Sequence, residues 1–228
     1  MISENAIVGV ILAGGKSSRM GTDKSLLPIG GEPMFQRVAT RLGRQVGRIV
    51  VSANQDPEPF RAAGLPVVAD SFVDRGPLAG FLAGMIWASA VPDATHILTV
   101  ACDTPFFPID LAERLSASLV LDRAGMAIAR SAGRDHYVFS LQPIALADEL
   151  ERWIVADADR SLKGWMLKHS VHVVDFDLDA DPFFNINRPE DMRVARDRVT
   201  AEDKVSYLSG RRRREDRNSY GFRPREPR

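Results

Sequence analysis

The sequence predicts a doubly wound α/β fold, a mostly parallel sheet with helices on both faces. Three observations predict it. Short apolar runs at 7–12, 49–51, 66–69 and 97–101 alternate with segments of helical period. The runs are nearly continuous rather than alternating, which suits strands buried on both faces. Each run also ends in glycine, small polar or acidic residues, at the edge where open parallel sheets take ligands. With 228 residues, 45% hydrophobic and 26% charged, the chain can bury a substantial core. One domain is expected over residues 1–199, followed by a tail, 200–228.

Ile7, Val8, Val10, Ile11 and Leu12 form the first strand, and Gly14-Gly15 breaks it. Leu26 to Gly31 reads as a short extension and turn. Pro33 then opens a helix whose Phe35, Val38, Ala39 and Leu42 recur at i, i+3, i+4 and i+7, with Arg37, Arg41 and Arg44 for the outer side. The strand Ile49 to Val51 ends in Ser52-Ala53-Asn54, and a third strand, Pro66 to Ala69, ends in Asp70. Gly76-Pro77-Leu78-Ala79-Gly80 opens a helix through Trp87. Its glycines suit either close approach of a ligand to free N–H groups or tight packing on the sheet. Ile97 to Ala101 is a fourth strand and delivers Cys102-Asp103-Thr104-Pro105, where Pro105 and Pro108 delay the next helix and hold Asp103 on a turn.

The second half is less explicit. A helix is expected over Leu111 to Leu119, strands over Met126 to Ala129 and Tyr137 to Leu141, helices over Ile144 to Val155 and Leu162 to Lys168, and a last strand over Val171 to Phe176. Arg134-Asp135-His136 fits a hairpin turn. Asn185-Ile186-Asn187-Arg188-Pro189-Glu190-Asp191 reads as a paired asparagine and then a helix entered through Pro189 and capped by acids.

Chemistry concentrates in the first loop. Two glycines let backbone N–H groups approach a ligand, while Lys16, Arg19 and Lys24 bring positive charge to the same place, a combination suited to a nucleoside triphosphate. The dinucleotide fingerprint G-x-G-x-x-G is absent. The P-loop is a near miss: Gly15-Lys16-Ser17 reads as its G-K-S, but its first glycine would fall on Val10, with Gly9 one place early. At the fourth strand's edge, Asp103 can hold Mg²⁺ through one or two oxygens, or serve as a turn or cap aspartate. Cys102 reads as a small buried neighbour, with no basic group beside it in sequence.

The stretch L-A-G-G-K-S-S-R-M-G-T-D-K closely resembles the signature of the molybdenum cofactor guanylyltransferases, the MobA family, within the nucleotidyltransferases that share L-A-x-G-x-x-x-R-M-G. Gly15 resembles the guanine-using branch, whereas cytidine-using relatives usually carry Ala there. The resemblance runs from about Val8 to Val199. It implies a Rossmann-like nucleotidyltransferase fold and transfer of GMP from GTP to molybdenum-bound molybdopterin, with Mg²⁺ as cofactor and pyrophosphate as by-product.

Carried over by motif, Leu12, Ala13, Gly14, Lys24, Asp70 and Asp103 match the family's GTP contacts. Gly14 and Gly15 would hold guanine or phosphate, Arg19 the leaving phosphates, Lys24 the α-phosphoryl charge and Asp103 the Mg²⁺. Some relatives have asparagine where Ser52 stands, so either Ser52 or Asn54 would reach the base. Gly80, His136, Asn185 and Asn187 fall on the acceptor side, the Arg134-Asp135-His136 segment resembling one near the pterin. Recipient molybdoenzymes or other cofactor-pathway proteins are the further partners implied. The rival readings are a nucleotidyltransferase acting with CTP or on a sugar or alcohol phosphate, and a non-catalytic adaptor that delivers cofactor.

Bulk properties add exclusions. A single cysteine permits no intramolecular disulfide framework and fits a reducing cytoplasm, and the four histidines show no zinc spacing. Neither a signal peptide nor a membrane span is evident. The zero net charge hides an uneven split, because residues 200–228 hold nine Lys/Arg against five Asp/Glu. That basic, apolar-poor tail reads as disordered, and as a solvated appendage in preference to a nucleic-acid contact, since no aromatic-interleaved face accompanies it.

Overall fold

The computed structural model describes residues 2–14, 24–70, 72, 75–120, 125–156, 159–177 and 180–201. These form two units, one with the described residues up to Asn185 except Ile29–Gly31, the other with Ile29–Gly31 and the described residues from Ile186 onward. In chain order the elements are β1 (Ile7–Leu12), β2 (Pro28–Ile29), β3 (Glu32–Pro33), α1 (Met34–Leu42), β4 (Arg48–Ser52), α2 (Glu58–Ala62), β5 (Val67–Val68) and α3 (Pro77–Ser89). They continue with β6 (His96–Ala101), α4 (Leu111–Ser118), β7 (Met126–Ser131), β8 (Arg134–Pro143), α5 (Ala147–Ala156), α6 (Leu162–Met166) and β9 (Val171–Asp175). A last helix, α7, covers 189–201. Among the described residues no helix is long and apolar enough to cross a membrane.

Seven strands form one sheet in the order β5-β4-β1-β6-β8-β7-β9. Every neighbouring pair is parallel except those of β8, which runs antiparallel to both β6 and β7. The doubly wound, mostly parallel expectation is met. The two faces bury different sets of side chains, and β1 shows how. Its Ile7 and Ile11 join Phe35, Val38 and Leu42 of α1 and Leu111 and Leu115 of α4. Its Val8 and Val10 join Leu78, Phe81, Leu82 and Met85 of α3 with Leu150, Ile154 and Trp165 of α5 and α6. Strand alternation thus divides one apolar run between two helical layers.

The chain leaves β1 for β4 and β5 on one side, then returns across β1 to β6 on the other. Such a reversal opens a crevice at the C-terminal ends of the two diverging strands. Helix α3 roofs this region, packing over β1, β4 and β6. It can sit that close because Gly84 meets Val10 and Gly80 meets Leu12: a Cβ on Gly84 would lie 2.6 Å from a Val10 methyl, and one on Gly80 2.8 Å from Leu12 and from the Ser52 hydroxyl. Of the two readings of this helix start, tight packing on the sheet describes Gly80, and it extends to Gly84.

Several elements depart from expectation for local physical reasons. Helix α2, absent from the sequence reading, is a single short turn-and-a-half following Pro57, anchored by Phe60 edge-on to Phe35 at 4.8 Å. Strand β5 is shorter than Pro66 to Ala69. The hairpin turn is Ala132-Gly133, both at positive φ (46° and 72°), so Arg134, Asp135 and His136 belong to β8 rather than to a turn. Arg41 does not face outward: its Nε donates to the Phe107 carbonyl and its guanidinium lies 6.0 Å from the centre of that ring. One turn on, buried Gln45 donates to the Pro108 carbonyl at 3.1 Å and accepts from the Ala112 N–H at 3.0 Å. It thereby caps α4, whose own N-cap residue, Asp110, makes no side-chain cap.

In the second unit, the backbone N–H groups of Asn187 and Arg188 both donate to the Asp191 carboxylate at 2.8 Å, and Pro189 stands at the first helical position of α7. The Pro entry and acidic cap are as the sequence indicates.

The α3 contact gives a test in which two effects oppose each other. Ala favours a helix over Gly by about 1 kcal/mol, but its methyl would press on the β-branched, stiff Val10, and overpacking costs about 1–3 kcal/mol. At 2.6 Å from a stiff side chain the overpacking cost falls in the upper part of that range, so Gly84→Ala is expected to lower unfolding stability by roughly 1–2 kcal/mol in urea melts followed by circular dichroism; unchanged or raised stability would show that α3 is free to lift from the sheet.

Candidate nucleotide site

The strand ends at the crevice are stitched together by backbone bonds that continue the ladders one step beyond the sheet. Cys102 N–H donates to Leu12 C=O at 3.1 Å, Ala13 N–H to Ser52 C=O at 2.9 Å, and Ala53 N–H to Val68 C=O at 3.0 Å. Whatever follows each strand is therefore delivered to one place. A pocket there is lined by Leu12, Ala13 and Gly14 after β1, Ser52 and Asp70 after β4 and β5, and Asp103 after β6. Lys24 and Ser25, Ala101 and Cys102, Val138, Asn185 and the start of α3 (Gly76, Pro77 and Gly80) complete it.

The start of α3 faces the pocket. Gly76, its N-cap, has φ 60° and ψ −150°, a conformation open to glycine alone, and itself supplies no side-chain cap. Pro77 has no N–H and the Ala79 N–H bonds back to the Gly76 carbonyl at 3.3 Å, so what this thirteen-residue helix offers the pocket is chiefly the positive end of its dipole, which favours negative charge there.

Asp103 sits on the turn after β6, with the Thr104 hydroxyl 3.4 Å from its Oδ1. It caps no helix, because α4 begins after Asp110. Burial pushes the Asp103 carboxyl above the ordinary aspartate value. The charge of Lys24, then hydrogen bonds from its own backbone, Thr104 and Asn185, pull it down without cancelling the effect of burial. A carboxylate so placed fits a cation, which stabilises its charge in place of the water dipoles that burial removes. Among the described residues no three His, Cys, Asp or Glu side chains cluster as a metal cage. One carboxylate with the Asn185 amide beside it fits a hard divalent cation that keeps several of its waters, and not one that needs a full protein cage.

At the other side of the crevice Asp70 is held by two neighbours. Ser52 Oγ donates to its Oδ1 at 2.7 Å and Asn54 Nδ2 to its Oδ2 at 2.8 Å, while the Asp70 N–H donates to Asn54 Oδ1 at 2.8 Å. Ser52 and Asn54 are therefore both turned to Asp70, Ser52 from the pocket wall and Asn54 from outside it.

Of the residues singled out in the sequence, Leu12, Ala13, Gly14, Lys24, Ser52, Asp70, Gly80, Asp103 and Asn185 line this one pocket. Gly15, Lys16 and Arg19 lie outside the described residues, as do residues 202–228 of the tail. Asn187 belongs to the second unit. His136 is not at the pocket. Its ring lies 4.5 Å from that of Phe183, its Nε2 is 2.9 Å from the Ser131 hydroxyl, and burial lowers its pKa against the raising charge of Asp181. Buried Cys102 lines the pocket floor, as a small neighbour should.

Val138, like Ser25 beside Lys24, is a lining residue that sequence reasoning did not single out. Between Ile128 paired with Ser140 and Ala129 paired with His136, β8 carries Tyr137, Val138 and Phe139 as extra residues. The Thr99 hydroxyl holds this bulge by donating to the Val138 carbonyl at 2.5 Å. Bulges re-aim side chains beside active sites, and no residue pattern in the sequence announced this one.

Comparison with known proteins agrees with this geometry. Residues 9–173 match the family model described as the MobA-like NTP transferase domain. A molybdenum cofactor guanylyltransferase of Rhizobium leguminosarum bv. trifolii (strain WSM2304) is 44% identical over 201 residues, covering 85% of this chain and 93% of the relative. Among solved structures, molybdopterin-guanine dinucleotide biosynthesis protein A from Archaeoglobus fulgidus shares the fold with a TM-score of 0.69 at 20% identity, covering 85% of this chain and 99% of that one. Rv0371c from Mycobacterium tuberculosis H37Rv, solved as a complex with manganese, shares it with a TM-score of 0.61 at 20% identity, covering 85% and 99%. With the family model matched over most of its length and a curated relative at this identity, the chain belongs to the MobA-like NTP transferase family of the molybdenum cofactor guanylyltransferases.

Proposed function

We propose that the protein transfers GMP from GTP to the terminal phosphate of a molybdenum-bound molybdopterin, forming the guanine dinucleotide cofactor and releasing pyrophosphate. The observation that carries this reading is the meeting, in one pocket, of Lys24 and Asp103 with Gly14 and the start of α3. A binding module for an anion has use for the cation and the helix end. The buried carboxylate would repel that anion, so its presence argues for a metal-assisted reaction.

The acceptor phosphate is already ionised near neutral pH, so the attack on the α-phosphorus needs no dedicated base, and the chain's work is positioning and charge. Lys24 neutralises the α-phosphoryl group as charge shifts toward the leaving pyrophosphate. The α3 N-terminus and the backbone around Gly14 and Gly15 hold phosphate or base, and Arg19 is assigned to the β- and γ-phosphates. Asp103, with Asn185 beside it, would hold Mg²⁺, which when bound supplies charge neutralisation on the phosphates. Asn185 and Gly80, both lining the pocket, are assigned to the acceptor side. His136 and Asn187 are assigned to that side on resemblance alone, with recipient molybdoenzymes as further partners. The reading places the protein in the cytoplasm, where GTP is available.

The direct test is pyrophosphate release from each of the four NTPs, with and without molybdopterin. Release from GTP that depends on the acceptor is expected, and an equal or faster reaction with CTP would overturn the guanine assignment.

Lys24→Ala separates transition-state stabilisation from anchoring. A fall in kcat on the order of 10² is expected with much less change in GTP affinity. Weaker affinity at unchanged kcat would make Lys24 only an anchor.

Asp103→Asn should nearly abolish turnover while raising the Tm of the metal-free protein at neutral pH. The sign follows from linkage: a carboxyl whose folded-state pKa is raised binds its proton more tightly when folded, so the stability it contributes is present in acid and lost as pH rises through that pKa. The Asn side chain carries no such loss, so its advantage should shrink as pH falls toward the ordinary aspartate value of 3.8. Mg²⁺ should raise the Tm of the wild type and leave that of the variant unmoved. Wild-type turnover in Asp103→Asn, or an equal Mg²⁺ response in both, would remove the metal role.

A further inference from the structure

Asn54 does not line the pocket, yet it makes two hydrogen bonds to Asp70, which does. Its amide and the Asp70 main chain and carboxylate form a closed ring of 2.8 Å contacts, and the Ser52 hydroxyl holds the other carboxylate oxygen at 2.7 Å. The arrangement follows from the sheet. Strands β4 and β5 pair in parallel through Ser52 opposite Val68, so the residues just after each strand emerge side by side. Ser52 and Asn54, two apart, reach the same partner.

Among the described residues each Asp70 oxygen accepts one hydrogen bond and keeps lone-pair capacity for a ligand. The carboxylate lies against Gly14, where a Cβ would lie 3.9 Å from Asp70 Oδ2 and 4.0 Å from Asn54 Nδ2. A fixed pair of acceptors discriminates sharply among bases. Guanine presents two adjacent donors on one edge, N1–H and the 2-amino group. Adenine and cytosine each place an acceptor nitrogen beside their amino group, and uracil flanks its single N–H with carbonyl oxygens. A carboxylate meets both guanine donors and would repel the acceptor of the others.

We propose that Asn54 is a positioning residue for base selection: with Ser52 it fixes Asp70 as a two-acceptor reader of the guanine N1–H and 2-amino edge. Neither Ser52 nor Asn54 itself takes the base. The inference rests on the GTP reading above and deepens it.

Inosine triphosphate, which lacks only the 2-amino group, isolates the point. KM and kcat for GTP and for inosine triphosphate would be measured by pyrophosphate release with Mg²⁺ and molybdopterin present, on the wild-type full chain and on Asn54→Ala, Asn54→Asp and Asp70→Asn. The wild type should prefer GTP. Asn54→Ala should raise KM for GTP about tenfold, the scale of one hydrogen bond's loss of order, while KM for inosine triphosphate moves less than about threefold and kcat with GTP is kept. Asn54→Asp, which sets a like charge against Asp70, should lose more of the preference, and Asp70→Asn all of it.

A purely structural Asn54 would raise both KM values together or lower the Tm without touching their ratio, and either result would overturn the proposal. Equal use of GTP and inosine triphosphate by the wild type would overturn it too, leaving the GTP reading intact. Failure of that reading shows separately, as wild-type preference for CTP, ATP or UTP over GTP.

Discussion

The close approach of α3 to β1 governs the site. Without side chains at Gly80 and Gly84, the helix lies on Leu12 and Val10, and its N-terminus, beginning at Gly76, reaches the pocket where β1 ends. The same contact shapes the pocket floor, because the Leu12 and Ser52 side chains fill the space that a larger residue at position 80 would take. Sheet topology makes the crevice, and helix packing sets how near the positive end of the helix dipole comes to it.

Within that frame, the site keeps a charge where burial disfavours it. Water is partly excluded around Asp103, and Lys24 compensates only in part. A structure selected for stability alone would place Asn or an apolar residue there. Retaining the acid makes sense where a cation and a polyphosphate meet, since both take part in the same balance of charge.

Asp103 is also held from a distance. The segment after it carries Phe106 and Phe107, both buried, and ends where Arg41 and Gln45 of the α1 region hold the Phe107 and Pro108 carbonyls and the first turn of α4. On the opposite wall, Ser52 and Asn54 do the corresponding work for Asp70, on its carboxylate and, from Asn54, on its main-chain N–H. Each acid at the pocket is thus supported by donors that do not themselves reach the ligand space, or do so only in part.

The linear sequence determined the doubly wound fold and most of the lining of the pocket, because both are written in local patterns. Continuous apolar runs give doubly buried strands, Gly14 follows the first, and topology alone carries strand-end residues such as Asp70 and Asp103 to a common edge. What depends on register or on distant partners was decided only by the tertiary structure. The three-residue shift in β8 brings Val138 to the pocket and carries Arg134, Asp135 and His136 into the strand, and it is held by a hydroxyl from Thr99, far off in sequence. Arg41 turns inward because a bare carbonyl awaits it 66 residues away. Whether Ser52 or Asn54 approached the base was open in the sequence, since both lie at the end of one strand. Their common partner, Asp70, ends another strand, and only the pairing of the two strands brings them together.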